Sequence, residues 1–345
     1  MKQYFLPAII WILFLLLATN AQIFAQDRAR YPFFADYFQQ QIFYTPAFTG
    51  IADQPTITTV GRFENRFDQQ NPFSVAGAVQ GLIRGLGMGV GITAQYHKFD
   101  DSFTYGSLRL PTNKKLLRLM VASSYPIRIG DFEGFRMGLN IGALHYRSDE
   151  AYPQGINPQP SQLYNERFFK LDMDLGLGIV LDRFRLGVSL QHLSEPKFRF
   201  SNSSIEQRFA RQAYFTTAYR LSVANWLDIE PTAMLNLPAA NSSFGIGNPP
   251  YIDLGVVFRY PNLAYLAVHY KINDDNGAVA NQGFIASQNL YPVAISGGIR
   301  WSNLQFSGSY IIANQPNFSR FEVGLSLFLP HNEAAAYEYE EEEEQ

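Results

Sequence analysis

The feature that most constrains this chain is an alternation of apolar and polar residues that recurs in blocks of roughly ten, from about Pro55 to Leu329. After residue 25 no apolar run approaches the roughly 20 residues that a spanning helix needs. In Arg320 to Leu329, Phe321, Val323, Leu325, Leu327 and Leu329 share one face, opposite Arg320, Glu322, Gly324, Ser326 and Phe328. Phe184, Leu186, Val188 and Leu190 likewise oppose Arg185, Gly187, Ser189 and Gln191. Phe135, Met137, Leu139 and Ile141 oppose Arg136, Gly138, Asn140 and Gly142, and Met88, Val90 and Ile92 oppose glycines, Thr93 and Gln95. Strands alternate side chains with a period of two, so each block presents one apolar face.

A soluble sandwich alternates too. Two features favour a barrel in lipid. The polar faces carry Gly, Ser, Asn and single charges in place of dense Lys and Glu. Aromatic residues, 15% of the chain, gather at block ends: Tyr96, Phe99, Tyr125, Tyr146, Trp226, Tyr251, Tyr260, Tyr291 and Trp301. Such placement is expected of interfacial girdles. An Arg at the bilayer midplane costs about 2–4 kcal/mol in such barrels, so Arg136, Asp172, Asp174, Arg185 and Glu322 are expected to face the lumen or sit near a rim.

The expected architecture is an all-β, antiparallel, up-and-down transmembrane barrel. Strands are placed near 55–66, 73–83, 87–99, 115–128, 135–147, 168–180, 183–194, 209–221, 226–237, 251–259, 263–272, 291–300, 303–312 and 319–329. That is about fourteen, an even number as bacterial barrels require. Tight turns near Arg84, Gly130 to Gly134, Asp182, Ser222 to Asn225, Pro261-Asn262 and Ser302 alternate with longer loops. Short turns lie on the periplasmic side of such barrels, which places both termini in the periplasm. Residues 103–112 read as part of a long outer loop or as an extension beyond the bilayer.

The flanks read differently. Lys2 followed by the apolar stretch Ile9 to Ala18, with Ile23-Phe24-Ala25 before Gln26, reads as a signal peptide over residues 1–25. Residues 26–54 form an aromatic, Gln-rich segment expected to pack in the lumen or across its periplasmic mouth. The barrel is assigned to 55–330, and 331–345 to an acidic tail. Seven Glu fall at 333, 338 and 340–344, where mutual repulsion favours disorder. The tail reads as a solubilising segment, with docking of a basic periplasmic partner or Ca²⁺ as the alternative.

Little else carries chemistry. The chain lacks Cys, which excludes disulfides, thiolate metal sites and a cysteine nucleophile. No basic cluster suggests nucleic acid. The five His are scattered, at 97, 145, 192, 269 and 331, without metal-ligand spacing. Gly85 to Gly91 alternates glycine with apolar residues and lacks the helix that a phosphate loop requires. Asp172 and Asp174, about 6–7 Å apart along a strand, could form an acid–base pair, but ion pairing with lumen Arg is the better reading. No catalytic, cofactor-binding or metal residues are assigned, and no cofactor is expected.

The stretch Tyr37 to Gly50 ends in Thr45-Pro46-Ala47-Phe48-Thr49-Gly50. It resembles the opening N-P-A-Y-A-G motif of the PorP/SprF family of Bacteroidetes outer-membrane proteins, with Pro46, Ala47 and Gly50 matching and Phe48 standing for Tyr. The resemblance continues through Met137 to Gly142, Asp172 to Gly178, Leu186 to Leu193 and Phe321 to Leu325. Where the family has Arg-x-Gln-Trp after the first strand, this chain has Arg62-Phe63-Glu64-Asn65. The resemblance implies a non-enzymatic component of the type IX secretion and gliding machinery. Such a protein assists secretion or surface anchoring of a particular adhesin, contacting outer-membrane lipid, the C-terminal domain of its cargo and other secretion components. A passive pore for small solutes is the alternative, and an outer-membrane enzyme a third reading that lacks a locatable triad.

Overall fold

The computed structural model describes residues 34–52, 54–66, 73–105, 108–130, 132–151, 163–199, 206–238, 245–246, 250–273, 293–312 and 318–329. Residues 1–25, read above as a signal peptide, residues 26–33, Tyr291 and the acidic stretch 331–345 lie outside them. Strands β1 (Thr56–Arg66), β2 (Phe73–Ile83), β3 (Met88–Tyr105), β4 (Leu108–Ile129), β5 (Phe132–Ala151), β6 (Leu163–Val180) and β7 (Phe184–Gln191) follow one another as antiparallel neighbours. The chain then makes β8 (Lys197–Arg199), β9 (Glu206–Phe209), β10 (Gln212–Tyr219), β11 (Leu221–Ala224), β12 (Leu227–Pro238) and β13 (Gly245–Ile246). It ends with β14 (Tyr251–Tyr260), β15 (Ala264–Asn273), β16 (Val293–Trp301), β17 (Leu304–Ile312) and β18 (Phe318–Phe328).

The sheet closes. β1 pairs with β18 from Thr56↔Phe328 to Arg66↔Phe318, and β10 joins β7 on one side to β12 on the other. β11 continues the path of β10 past Arg220, so the ring is a 14-strand antiparallel barrel. Each expected strand falls on one of these spans. β8, β9 and β13 form a separate three-stranded sheet.

The tight turns fall where the glycine, proline and asparagine signals put them. Residues 84–87 join β2 to β3, with Gly87 at φ 60°. Asn262 and Ser302 adopt left-handed conformations between β14 and β15 and between β16 and β17. The barrel's two chain ends meet on this side, where the Leu329 N–H donates to the Pro55 carbonyl at 2.9 Å. At the opposite end the strands vary in height. β3 runs on to Tyr105 and β4 begins at Leu108, so residues 103–105 and 108–112 extend the wall.

Burial is inverted relative to a soluble protein. Along β6, Phe169, Leu171, Met173, Leu175 and Leu177 are exposed on the outer face, while Asp172 and Asp174 are buried on the inner one. β4 and β5 repeat this, with Leu119, Val121 and Ile141 outside and Arg118, Met120 and Asn140 inside. In hydrocarbon the outer face needs no polar partner, and the inner face gathers the charges.

The aromatic block ends divide. Tyr125, Trp226, Tyr260 and Trp301 are exposed at the short-turn end, as a girdle requires. Tyr146 and Tyr251 instead point inward, with 0% and 3% exposure. Their strand parity places them on the polar face, where they pack in the lumen.

On this geometry, Val121→Arg places a charge on the lipid face and lowers folding stability by about 2–4 kcal/mol. Denaturant titration of the barrel in lipid vesicles checks this; an unchanged midpoint and slope would place Val121 away from hydrocarbon.

Candidate functional site

Residues 34–50 lie against the inner wall. Phe34, Tyr37, Phe38, Ile42, Phe43, Tyr44, Ala47 and Phe48 are buried. A segment this rich in aromatic rings cannot stay in water without exposing a large apolar area, and a barrel lumen is the nearest place to bury it. Locally it folds as two short 3-10 turns, Gln41–Phe43 and Pro46–Phe48. Pro46 suits the first position of its turn because its fixed φ is compatible and its missing N–H is not needed there.

Hydrogen bonds tie the segment to widely separated strands. The Ala35 N–H donates to Glu322 Oε2 of β18 at 2.7 Å, and the Tyr265 hydroxyl of β15 donates to Asp36 Oδ2 at 2.9 Å. The Tyr37 hydroxyl reaches Thr232 Oγ1 of β12 at 3.2 Å. Phe38 stacks on the His269 ring at 5.1 Å, with the Arg259 guanidinium 5.6 Å from the Phe38 centroid. Gln191 and Ser189 of β7 donate to the Phe43 and Tyr44 carbonyls at 2.8 and 2.6 Å. Ser124 of β4 donates to the Thr49 carbonyl at 2.7 Å, and the Gly50 N–H donates to Gln80 Oε1 of β2 at 3.0 Å. These bonds satisfy main-chain groups that a buried irregular segment would otherwise leave unpaired.

The family-motif residues Pro46, Ala47, Phe48 and Gly50 occupy the tightest part of this contact. They sit against inward-facing glycines, where a side chain would collide. A Cβ on Gly138 of β5 would overlap the Pro46 carbonyl and the Ala47 nitrogen. One on Gly176 of β6 would come within 2.9 Å of Pro46 Cδ, and ones on Gly178 and Gly187 would meet the Phe48 ring. Gly50 itself has φ 64°, and a Cβ there would lie 2.6 Å from Gly89 Cα. Glycine at position 50 answers both the left-handed backbone and the close approach.

The charged residues read from sequence fall into separate groups. Asp172 and Asp174 are held by one arginine that the sequence reading did not single out. Arg118 Nε lies 2.9 Å from Asp172 Oδ2, and Arg118 Nη2 lies 2.6 Å from Asp174 Oδ1. His192 Nδ1 lies 2.8 Å from Asp172 Oδ2, and Asn140 donates to Asp174 at 3.1 Å. Ion pairing, not an acid–base pair, is what these carboxylates do. Arg118 reaches across β5 from β4, so adjacency in the sheet order was a poor guide. Its own signal was present: it is a single charge at an inward position between Leu117 and Leu119.

Arg185 donates to Gln41 Oε1 of the segment at 3.2 Å and pairs with Glu230 at 2.9 Å. Glu230 also engages Arg259 and Arg220. Arg136 donates to Ser124 Oγ at 2.8 Å, one bond away from the Thr49 carbonyl. Glu322 receives the Ala35 N–H, while its neighbour Arg320 pairs with Glu64, as does Arg62. Arg136, Arg185 and Glu322 are thus parts of the cradle for residues 34–50, whereas Asp172 and Asp174 belong to a layer beyond it.

That layer carries a second closure. The connection from β7 to β10 turns inward: the His192 N–H donates to Asp174, and the Leu193 N–H donates to the Met173 carbonyl at 2.9 Å. Phe198 of β8 and Phe209 of β9 are fully buried against Tyr146, Leu116 and Leu144. Among the described residues no group of three or more His, Asp or Glu converges as a metal site would require.

An inside-out barrel with a closed ring and with residues 34–50 packed against its inner wall defines an outer-membrane β-barrel of the secretion or transport kind. The chain belongs to the PorP/SprF family: the model of the type IX secretion system membrane protein PorP/SprF matches residues 27–323. Among solved structures it is similar to the Ralstonia pickettii toluene transporter TbuX. The two share 10% identity and a TM-score of 0.53, over 84% of this chain and 93% of that one. It is also similar to a Pseudomonas aeruginosa FadL homologue, at 10% identity and a TM-score of 0.50, over 82% and 92% of the two chains. At such identities the likeness is one of fold. No curated protein sequence matches.

Gly138→Val is expected to displace residues 34–50 while leaving the barrel closed. Limited proteolysis should then cut within the segment, and the heat-dependent gel shift of the folded barrel should persist. Arg118→Met removes the one arginine shared by two buried carboxylates, leaving them to His192 and Asn140, and is expected to cost about 3–5 kcal/mol. Adding Asp172→Leu and Asp174→Leu should restore most of that loss in vesicle-based unfolding.

Proposed function

We propose that this barrel is an occluded accessory of type IX secretion, one that assists the secretion or surface anchoring of a specific adhesin or other cargo and is not an enzyme. The observation that carries this reading is the occupied lumen. Residues 34–50 bond to β2, β4, β7, β12, β15 and β18 at once, and the β7–β10 connection packs separately against the inner faces of β4, β5 and β6. A protein so filled works through its rims and outer wall.

In this proposal residues 1–25 direct export and are removed, and the short-turn end with both termini faces the periplasm. There, residues 26–33 and the tail 331–345 are available to secretion or motor components. The long-loop end, where β3 to β6 rise highest, meets the C-terminal domain of the cargo. No catalytic residue takes part, and no cofactor is required.

A passive pore is the second reading, favoured by the fold shared with the toluene transporter TbuX. Planar-bilayer recording separates the two. The occluded accessory gives negligible steady conductance, and removal of residues 27–52 opens it. A steady open pore in the intact mature chain would favour transport. In cells, loss of the gene should leave one surface protein unexported or released into the medium. Normal display of every surface protein would end the accessory reading.

A further inference from the structure

β6 outlasts the strand beside it. It pairs with β5 from Ile179 up to Leu163, but with β7 only from Val180↔Arg185 to Leu175↔Leu190. Beyond Gln191 the chain leaves the wall and turns inward. Two residues of that turn close the first part of the vacated edge. The Leu193 N–H donates to the Met173 carbonyl at 2.9 Å, and the Ser194 hydroxyl donates to the Leu171 carbonyl at 3.0 Å. Main-chain groups point to alternate sides along a strand. These two bonds therefore mark the odd-numbered residues as those whose N–H and C=O face the vacated side. Among the described residues no strand pairs on that side with Leu171, Phe169 or Arg167.

The side chains record the same gap. Phe169 and Leu171 are 68% and 71% exposed on the outer face, whereas Met173, Leu175 and Leu177 below them are 38%, 37% and 41% exposed. Lys170, inward by parity, is exposed as well, while Asp172 and Asp174 are fully buried.

We infer that this bare edge of β6 binds an extended strand of a partner polypeptide, added beside β6 beyond the end of β7. The chemistry names the occupant. Acyl chains cannot satisfy N–H and C=O groups that recur about every 7 Å along an edge, and an extended strand can. Strand rise and tilt put Leu171 roughly 23 Å above Val180, near the top of an apolar band about 25 Å tall. The inward turn closes the edge up to that level, and the bare stretch begins where hydrocarbon gives way to the rim. On the outer face the added strand continues the apolar row of Phe169 and Leu171, so the partner segment alternates apolar and polar residues. Arg167 and Lys170 flank the edge and deter indiscriminate pairing. The inference deepens the proposed function and rests on it for the source of the strand, which is the cargo.

Hydrogen exchange and peptide binding, on the full mature barrel in lipid nanodiscs, test the edge itself. The amides of Phe169 and Leu171 should exchange fast, while those of Lys170 and Asp172, which face β5, stay protected. An octapeptide of alternating valine and threonine should slow the first pair, and the same peptide N-methylated at its valines should not. Phe169→Pro removes a donor only on the vacated side, so the barrel still closes. It should weaken peptide binding by about fivefold, the loss of one hydrogen bond, and Phe169→Val should bind as the wild type does. If Phe169→Pro does not fold, the exchange rates of the wild type decide. Protected Phe169 and Leu171 amides in the barrel alone would overturn the inference, as would equal peptide binding by wild type and Phe169→Pro. A barrel dimer in native mass spectrometry would overturn it too, by assigning the edge to a second copy. In cells, Phe169→Pro should affect the same surface protein as loss of the gene. If gene loss acts and Phe169→Pro does not, the edge inference fails and the accessory reading stands. If gene loss has no effect, the accessory reading fails and takes the cargo with it, while the peptide result still decides the edge.

Discussion

A strand in hydrocarbon has no water to receive its backbone hydrogen bonds, so every N–H and C=O must find a partner within the sheet. The ring closure answers that demand here. β1 meets β18 along its whole length, and β10 bridges β7 and β12. Once the sheet is closed, the period of two leaves only one choice for each side chain: lipid or lumen. The inverted burial, with valine and leucine outside and arginine and aspartate inside, follows directly.

Closure creates a second problem. A ring of this size encloses a polar space larger than its inward side chains can fill. Small inward residues such as Gly138, Gly176 and Gly187 widen it further, and residues 34–50 take up the room. The fit is mutual. The glycines exist where the Pro46-Ala47-Phe48 turn presses closest, and the charged residues Arg136, Arg185 and Glu322 serve the segment more than they serve one another. Farther along the axis, the Arg118 ion pairs and the packed rings of Tyr146, Phe198 and Phe209 occupy further inner-wall positions. In the proposed function the working surfaces are the rims and the outer wall, which is compatible with residues 34–50 lying in the lumen.

Much of the barrel was legible because lipid enforces local rules. Each strand had to alternate, and each tight turn needed glycine, asparagine or a short polar pair. The blocks around Phe321 to Leu329 and Met137 to Gly142 therefore announced their own faces. The same logic failed for aromatic residues at block ends. A tyrosine is at home in a girdle and in a packed lumen, so Tyr125 and Tyr146 looked alike in sequence yet point in opposite directions. Likewise, Asp172 and Asp174 advertised a need for a cation without naming it. Arg118 supplies it from two strands away, because the stagger of β4, β5 and β6 brings those positions level.

The sequence by itself marked the lipid and lumen faces of the clearly alternating strands, a ring of about fourteen of them and the places where the chain reverses tightly. These depend on neighbours one or two residues apart. Only the tertiary structure decided that residues 34–50 lie within the ring, that Gly138 and Gly176 are contact surfaces for Pro46 and Ala47, and that the pairing of β6 with β7 ends at Leu175. Those facts depend on register and closure, which bring together positions far apart in the chain. No local pattern records them.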